Sequence, residues 1–285
     1  MPARGPCRGV KPPMSSPRYS TIGATVAGLL SATFLIGAVM MPALGASPPA
    51  KPAITEEARS ALQQMGQTLL GKQFSFQART LRVYADVDRR FLHIGHTVKV
   101  LVRRPDRLRV DIDGDDGATQ LFYDGKTLVL YGPAKKEYVS IPVPDTIGGM
   151  IKEAESRVGF DFPFEDFLSS TPDKSLMSGV TEGKIVNEVT IDGAPANHLT
   201  LFQPPGLELE LWLTKNPQSL PERLFITYRS VPGQPNFIAT FSDWNFSVTP
   251  TDADFTFQSP EGAKQVELKA AAAPTPAPQA KGAKR

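Results

Sequence analysis

The stretch that decides the fold is residues 103–131, which read RRPDRLRVDIDGDDGATQLFYDGKTLVLY. In its first part Leu108, Val110 and Ile112 alternate with charged residues, which is the period of a strand with one apolar and one polar face. The Asp-Gly pair at 124–125 favours a tight hairpin, because such turns need positive φ. The stretch therefore predicts three short strands separated by two turns.

The two strands that flank this hairpin are apolar on both faces. They comprise residues 121–123 and 128–131, which contain only leucine, valine, phenylalanine and tyrosine. A strand that is apolar on both sides must be covered on both sides. We therefore expect a layer over the second face of this sheet, formed either by helices or by an apolar ligand.

The N-terminal residues have the pattern of a secretory signal peptide. Residues 21–41 contain no charge, Arg18 precedes them, and the small residues of 43–46 follow in an A-x-A-like arrangement. We predict a cleaved signal peptide over 1–46 and a location in the periplasm. The apolar run is long for a signal peptide, so an uncleaved inner-membrane anchor is the alternative. Because the only cysteine, Cys7, precedes the apolar run, we expect no lipid attachment at the cleavage point.

The charge of the chain changes sign when this leader is removed. The whole chain has 31 basic and 29 acidic residues, and the leader holds four basic residues and no acidic one. The remainder has 27 basic against 29 acidic side chains, a formal charge of −2. This balance argues against nucleic acid as a partner.

The rest of the sequence predicts a single α+β domain. We expect a linker at 47–54, the domain at 55–269 and a disordered Ala/Pro/Lys-rich tail at 270–285. Alternating segments predict about ten strands in sequential hairpins, with helices at the start and in the middle. A sheet of that size curls, so we expect one large curved antiparallel sheet, an open or half-closed β-barrel with helices over its concave face. A change of apolar phase near Arg79 and Thr80 predicts a β-bulge in the first strand.

The spacing of three aspartates is similar to that of a calcium-binding loop, but two other positions do not fit such a loop. Asp111, Asp113 and Asp115 are spaced as in such a loop, but Asp116 occupies the sixth position, where glycine is needed. The twelfth position is Phe122 instead of a bidentate glutamate. A solvated turn is the better interpretation, and we predict no metal site.

Catalytic groups are sparse. His93 and His96 are three residues apart, so on a strand they point to opposite faces and cannot converge on a metal ion. Asp161, Glu165 and Asp166 could pair as carboxylates, although acids are also favoured in the first turn of a helix. We therefore predict no enzyme activity and no cofactor, and retain a periplasmic hydrolase as the last alternative.

The densest aromatic cluster lies in the middle of the chain, at 160–167. In one interpretation, this cluster is the core between helix and sheet. In the other, its helices form a movable lid over a concave apolar sheet, and a lipid-like ligand binds between lid and sheet. For the second case, the predicted site consists of apolar residues of the sheet and of the helices. These are Phe122, Leu130, Ile147, Met150, Ile151, Phe160, Phe162, Phe164, Phe167, Leu168 and Trp212.

Three segments resemble the periplasmic lipoprotein-carrier superfamily, which includes LolA-like carriers, the LolB-like receptor and related regulators of envelope stress. Residues 104–109 (RPDRLR) are similar to its Arg-Pro strand, and 123–131 (YDGKTLVLY) to its Asp-Gly-Lys hairpin. Residues 255–263 (FTFQSPEGA) are similar to its closing segment. The chain looks most like a branch of predicted periplasmic proteins within this superfamily. The resemblance implies an unclosed β-barrel capped by helices, with an apolar cavity for acyl chains.

These observations lead to three functional hypotheses. The first is a periplasmic carrier, expected to be monomeric, that holds the acyl chain of a lipid or lipoprotein between sheet and helices. The second is a non-enzymatic interaction or sensing module whose core is filled by its own side chains and whose rim binds an envelope protein. The third is the hydrolase.

Overall fold

The computed structural model describes residues 53–85, 90–159 and 162–267. Several stretches lie outside the described residues: the predicted signal segment 1–46, most of the predicted linker, residues 86–89, the predicted site residue Phe160 and the predicted tail 270–285. In the described ranges no helix has both the length and the apolar content needed to cross a bilayer.

Four α-helices and twelve strands form the described structure. The helices are α1 Glu56–Leu69, α2 Ile147–Val158, α3 Glu165–Leu168 and α4 Pro172–Leu176, with one 3-10 turn at Asp252–Phe255. The strands of the first half are β1 Gln73–Ala85, β2 Phe91–Arg103, β3 Arg107–Gly114, β4 Thr119–Tyr123, β5 Thr127–Gly132 and β6 Glu137–Pro142. Those of the second half are β7 Glu182–Ile191, β8 Ala194–Gln203, β9 Leu207–Thr214, β10 Pro221–Tyr228, β11 Asn236–Asn245 and β12 Lys264–Gln265.

All twelve strands belong to one curved, unclosed sheet in the order β12-β6-β5-β4-β3-β2-β1-β11-β10-β9-β8-β7. Strands β1 to β6 and β7 to β11 form two runs of sequential hairpins, and the pairing of β1 with β11 joins the runs. The only parallel pair within this order is β12 with β6. The predicted α+β class, with one large antiparallel sheet and a few helices, is confirmed.

Local sequence signals account for the element ends. The Thr55 side chain accepts a hydrogen bond from the backbone N–H of Ala58 and caps α1. In the predicted hairpin Gly125 has φ 92°, which glycine adopts without strain. Asp124 Oδ1 accepts from the N–H of Thr127 at 2.8 Å and fixes the turn.

The bulge predicted near Arg79 and Thr80 is not there, because β1 pairs with β2 over its whole length without a shift in register. The irregularity lies in β11, where one extra residue stands opposite the segment between Ser75 and Gln77. The change of apolar phase in β1 has another cause. Alternate residues from Phe74 to Thr80 are buried on one face of the sheet, whereas Val83 is buried on the other.

The two faces of the sheet are covered differently. The helix face, defined by Phe76, Val100, Val110, Leu121 and Leu211, packs against the four α-helices in one continuous core. Its far corner is not covered, because the β1–β2 hairpin extends beyond both neighbouring strands. For this reason Leu92, which lies on the same face of β2 as Val98 and Val100, is 55% exposed.

The opposite, outer face of β4, β5 and β6 is covered by the closing segment of the chain. The ring centroid of Phe257 lies 5.5 Å from that of Phe122, 5.3 Å from Tyr131 and 4.9 Å from Tyr138. Phe255, at the end of the 3-10 turn, is fully buried beneath Arg103. The second apolar face that the sequence predicted is therefore covered by the chain itself and not by a ligand.

Candidate functional site

Phe164 is at the centre of the aromatic cluster on the helix face. It lies between α2 and α3, and its ring centroid is 5.4 Å from that of Phe162 in the same segment. From the sheet, Phe76, Phe237 and Phe241 approach it at 6.1, 5.7 and 5.2 Å. Edge-to-face and tilted contacts at these distances are favourable for aromatic rings. The segment before α3 thus inserts a side chain into an aromatic surface that the sheet provides.

The cluster continues along the sheet toward the end of β11. Trp244 stacks on Phe76 with a centroid distance of 4.5 Å, and its Nε1 donates to the carbonyl oxygen of Pro221 at 3.0 Å. Phe74 and Phe246 extend the stack at its outer end. The indole therefore has its polar atom satisfied, and its ring is part of the apolar surface.

Helix α2 covers the other half of the helix face. Ile147, Met150 and Ile151 are buried there in the same core cluster as Leu121 and Leu128. Tyr123 lies below, and its hydroxyl donates to the carbonyl oxygen of Pro144 at 2.7 Å, just before the helix. Burial, with the charges of Asp106 and Asp145, raises the pKa of Tyr123 to about 12.

The structure brings together most of the predicted site residues but not all of them. Those on the helix face are Leu130, Ile147, Met150, Ile151, Phe162, Phe164, Phe167 and Leu168. Phe122 and Trp212 lie on the outer face, because each alternates with a core leucine in its strand. Trp212 stacks there on His198 at 4.2 Å, and both ring nitrogens of that histidine are hydrogen-bonded, one to Glu210 and one to Asn187.

Side chains fill the space between the helices and the sheet. Phe164 and Tyr123 expose 2% and 0% of their surface, and Met150 exposes 0%. A side chain without accessible surface borders no void that a water molecule could enter. The interior of this cluster is therefore packed. The carrier hypothesis expected an open cavity next to these side chains, and the described residues do not form one there.

Arg104 is the functional candidate that pattern reasoning missed. Its guanidinium donates to the carbonyl oxygen of Leu168 at 2.6 Å and to those of Leu69 and Phe167 at 3.1 Å. These oxygens end α1 and α3, where the helix dipole favours a cation. The Nε is buried and has no partner among the described residues. The guanidinium carbon lies 5.9 Å from the centre of the Phe74 ring. Burial lowers the pKa of Arg104 to about 10.

The Arg-Pro motif at 104–105 was the available signal for this residue. The motif indicated the family, but it did not indicate the hydrogen bonds of Arg104, because the partners of this side chain are 35 and 64 residues away in the chain. Such long-range contacts leave no periodic pattern in a sequence.

The helices next to Arg104 have weak local stabilisation. Helices α3 and α4 have only four and five residues, and neither has a side-chain hydrogen bond at its N-cap. Asp166, in α3, is buried enough to raise the pKa of its carboxyl to about 6. Tertiary packing, more than local sequence, therefore holds this part of the helix layer in place.

Groups that could do chemistry are not assembled here. His96 shares a hydrogen bond of 2.7 Å with Asp116 in the β3–β4 turn. Asp161 lies outside the described residues. Over the described ranges, no group of three His, Cys, Asp or Glu side chains is placed to hold a metal ion.

Solved structures with a similar fold come from several bacteria. They include an uncharacterised conserved protein of Thermus thermophilus (12% identity, 74% of this chain and 99% of that one, TM-score 0.44). The lipoprotein LppX of Mycobacterium tuberculosis is 18% identical over 68% of this chain and 99% of its own, with a TM-score of 0.41. A LolA superfamily protein of Nitrosomonas europaea is 12% identical over 70% and 97%, with a TM-score of 0.34.

Among curated proteins, no sequence matches this chain. The family described as "Predicted periplasmic protein (DUF2092)" matches residues 58–269, which confirms the branch that the motifs indicated. The match spans most of α1, both runs of strands and the closing segment. The chain therefore belongs to this family of predicted periplasmic proteins.

Proposed function

We propose that this protein acts in the periplasm, as a monomer exported by a cleaved signal peptide over 1–46, and that it binds the acyl chain of a lipid or lipoprotein. The binding surface is the aromatic part of the helix face, and no chemical reaction takes place there. The observation that carries the proposal is the position of Phe164. The segment next to α3, and not the sheet, places this ring among Phe76, Phe237 and Phe241.

An acyl chain can replace the side chains that now fill this space. Phe162, Phe164, Phe167 and Leu168 belong to one short segment, so a displacement of that segment uncovers the aromatic surface of the sheet. Burial of a 16-carbon chain contributes about 0.8 kcal/mol per methylene, on the order of 10 kcal/mol before the free energy of displacing these residues is subtracted. The ligand and the segment therefore compete for the same surface.

The features around Arg104 support such a displacement. Its Nε has no partner among the described residues, Asp166 is half-buried with a raised pKa, and α3 and α4 are short and lack side-chain caps. Each of these raises the free energy of the closed state relative to an open one in which water reaches the polar groups. The helices α2, α3 and α4 thus form a lid that opens for the ligand and closes in its absence.

A disulfide that fixes α4 tests the proposal directly. A Cβ atom placed on Gly66 of α1 would lie 2.7 Å from the Cβ of Asp173 in α4. A disulfide needs about 3.8 Å between Cβ atoms, so a shift of about 1 Å allows the pair Gly66→Cys/Asp173→Cys to bond. Helix α1 is a fixed point, because Ser219 donates to the carbonyl of Ala61 and Thr68 to that of Gln218.

Uptake of a fluorescent fatty acid by this variant should be low when it is oxidised and should recover when it is reduced. The reduced form of the same protein is the matched control, and Asp173→Cys alone shows the effect of the substitution. Equal uptake in both forms would place the ligand elsewhere. Absence of uptake by the wild type, with no co-purifying amphiphile in native mass spectrometry, would reject lipid binding.

The packed helix face favours a second candidate, the interaction module. In that case the phenylalanine cluster is a permanent core, and an envelope protein binds the rim. The same experiments separate the two functions, because the module takes up no fatty acid in either redox state.

A further inference from the structure

The β1–β2 hairpin projects from the sheet beyond both of its neighbours. The pairing of β1 with β11 ends at Arg82, and the pairing of β2 with β3 ends at His96. Beyond these points the two strands continue paired with each other, and β2 reaches Phe91. Residues 91–94 of β2 are therefore a free length of about 13 Å, at about 3.3 Å per residue.

The projecting part exposes apolar side chains on both of its faces. Phe91 and Leu92 are 57% and 55% exposed, more than any other large apolar side chain of the described ranges. Successive residues of a strand point to opposite faces, so Leu92 lies on the helix face with half-buried Ile94, and Phe91 lies on the outer face. Single exposed apolar residues are common on protein surfaces, but here they occur together at the end of one projecting element.

A lipid bilayer fits this arrangement better than a protein partner does. A protein surface covers one face of a hairpin, whereas the acyl chains of a bilayer surround both faces. Tyr84 stands opposite Leu92 in the neighbouring strand and is half-buried. Tyrosine rings are favoured at the boundary between headgroups and acyl chains, because one end is apolar and the other is polar.

The charges at this end of the hairpin balance. Between residues 83 and 95 the sequence holds Asp86 and Asp88 against Arg89 and Arg90, with His93 as the other ionisable group besides Tyr84. No net charge at this end therefore attracts or repels an anionic surface. We expect contact through apolar side chains, with weak dependence on salt.

The β3–β4 turn limits how deep the hairpin can go. Asp115 accepts a hydrogen bond from the N–H of Gly95 at 2.7 Å, and Asp116 bonds to His96 at the same distance. These carboxylates stand where the projection begins, and carboxylates are costly to place among acyl chains. Only the residues beyond Gly95 can therefore enter the apolar part of a bilayer.

We propose that Phe91, Leu92 and Ile94 insert into the surface layer of a phospholipid bilayer, with Tyr84 at the level of the headgroups, and that the protein docks reversibly on membranes through this hairpin. The docking is a property of the hairpin and does not need a ligand at the helix face.

The inserted face continues into the core of the protein. Along one face of β2 the exposure falls from 55% at Leu92 through Ile94 to 5% at Val98, which belongs to the same core cluster as Phe164. His96 lies between Ile94 and Val98 on this face and is held by Asp116. Docking would thus place a bilayer next to the aromatic surface proposed above to bind an acyl chain, and this link alone rests on the proposed function.

Flotation with vesicles of phosphatidylethanolamine and phosphatidylglycerol tests the docking, with protein purified from the periplasm. The wild type should float with the vesicles, and Phe91→Ser/Leu92→Ser should bind them at least about tenfold more weakly. Val186→Ser is the matched control, because Val186 is 48% exposed on β7, and it should float like the wild type. All three proteins share one N-terminus, so residues before the domain cannot cause the difference. Because the substituted side chains are exposed, the Tm should change by less than about 2 °C.

The depth of insertion has its own measurement. Vesicles with brominated acyl chains should quench the added fluorophore of Phe91→Trp several-fold more strongly than that of Val186→Trp. Equal quenching of the two variants would contradict insertion of the hairpin.

The proposal is wrong if the wild type does not float, or if the double variant floats as well as the wild type. It is also wrong if the hairpin instead captures an envelope protein, in a contact that Phe91→Ser/Leu92→Ser abolishes while vesicles stay unbound. Uptake of a fluorescent fatty acid from solution involves no vesicle, so the double variant should retain it. Loss of docking evidence with normal uptake would therefore reject this inference and leave the proposed function intact.

Discussion

Arg104 donates a hydrogen bond from Nη1 to the backbone carbonyl oxygen of Leu168 at 2.6 Å, and this bond ties the end of β2 to the end of α3. Its Nη2 reaches the carbonyls of Leu69 and Phe167 at 3.1 Å, so one side chain holds two helices. The helix layer is therefore positioned by a cation in the turn after β2 as well as by apolar packing.

Arg104→Lys should destabilise the fold by about 2–4 kcal/mol, because an ammonium cannot reach three carbonyls with the planar fork of a guanidinium. Urea unfolding measures this difference. Arg79→Lys is the control, since Arg79 is exposed on β1 and should change stability by less than about 0.5 kcal/mol. Equal effects of the two variants would show that the bonds of Arg104 do not stabilise the helix layer.

Asp166 makes stability depend on pH. Burial raises the pKa of its carboxyl to about 6 from an ordinary 3.8, so the folded state holds the proton more tightly than the unfolded state. Its contribution is present while the carboxyl is protonated and is lost as the pH rises through 6. Urea unfolding of the wild type should therefore show a loss of about 1 kcal/mol at this site between pH 5 and pH 7.5.

Asp166→Asn should remove that part of the pH dependence and should be the more stable protein at pH 7.5. Glu155→Gln, on the exposed side of α2, provides the comparison and should leave the pH dependence as it is. A pH dependence of the same size in Asp166→Asn would show that other titratable groups cause it.

Phe164 and Phe257 lie on opposite faces of the sheet and should differ in their effect on ligand uptake. Phe164→Ala should destabilise the fold by about 3–5 kcal/mol and should increase uptake of a fluorescent fatty acid, because it leaves an apolar cavity. Phe257→Ala, in a half-buried ring on the outer face, should cost about 1–3 kcal/mol and leave uptake unchanged. Increased uptake by Phe257→Ala would move the site to the outer face.

The two tryptophans report on different faces. Trp244 is part of the aromatic cluster on the helix face, whereas Trp212 lies on the outer face beside His198. A brominated fatty acid should therefore quench the fluorescence of Trp212→Phe, which retains Trp244, several-fold more than that of Trp244→Phe. Contact quenching of equal strength in both variants would contradict binding at the cluster.

Several features were predicted from residues that are close in sequence. The hairpin at 124–125 and the alternation of Leu108 and Val110 depend on local backbone geometry, and the structure confirms them. The prediction of a bulge near Arg79 was wrong. The apolar phase of a strand changes when a different face becomes covered, and an extra residue is not needed.

The candidate site was predicted in part. The residues of α2 and of the 162–168 segment do meet on the helix face, because their apolar spacing directs them to one side. Phe122 and Trp212 were predicted to lie with them, although strand alternation directs each side chain to the face opposite a core leucine.

The sequence by itself determined the class of the fold, the order of its hairpins and its family, because each depends on patterns of a few residues repeated along the chain. Only the tertiary structure decided what covers each face of the sheet. Phe257 covers Phe122 from more than 130 positions away, and Arg104 reaches Leu168 across 64. Such contacts form because the sheet brings distant segments together, and no local pattern encodes which segment will arrive.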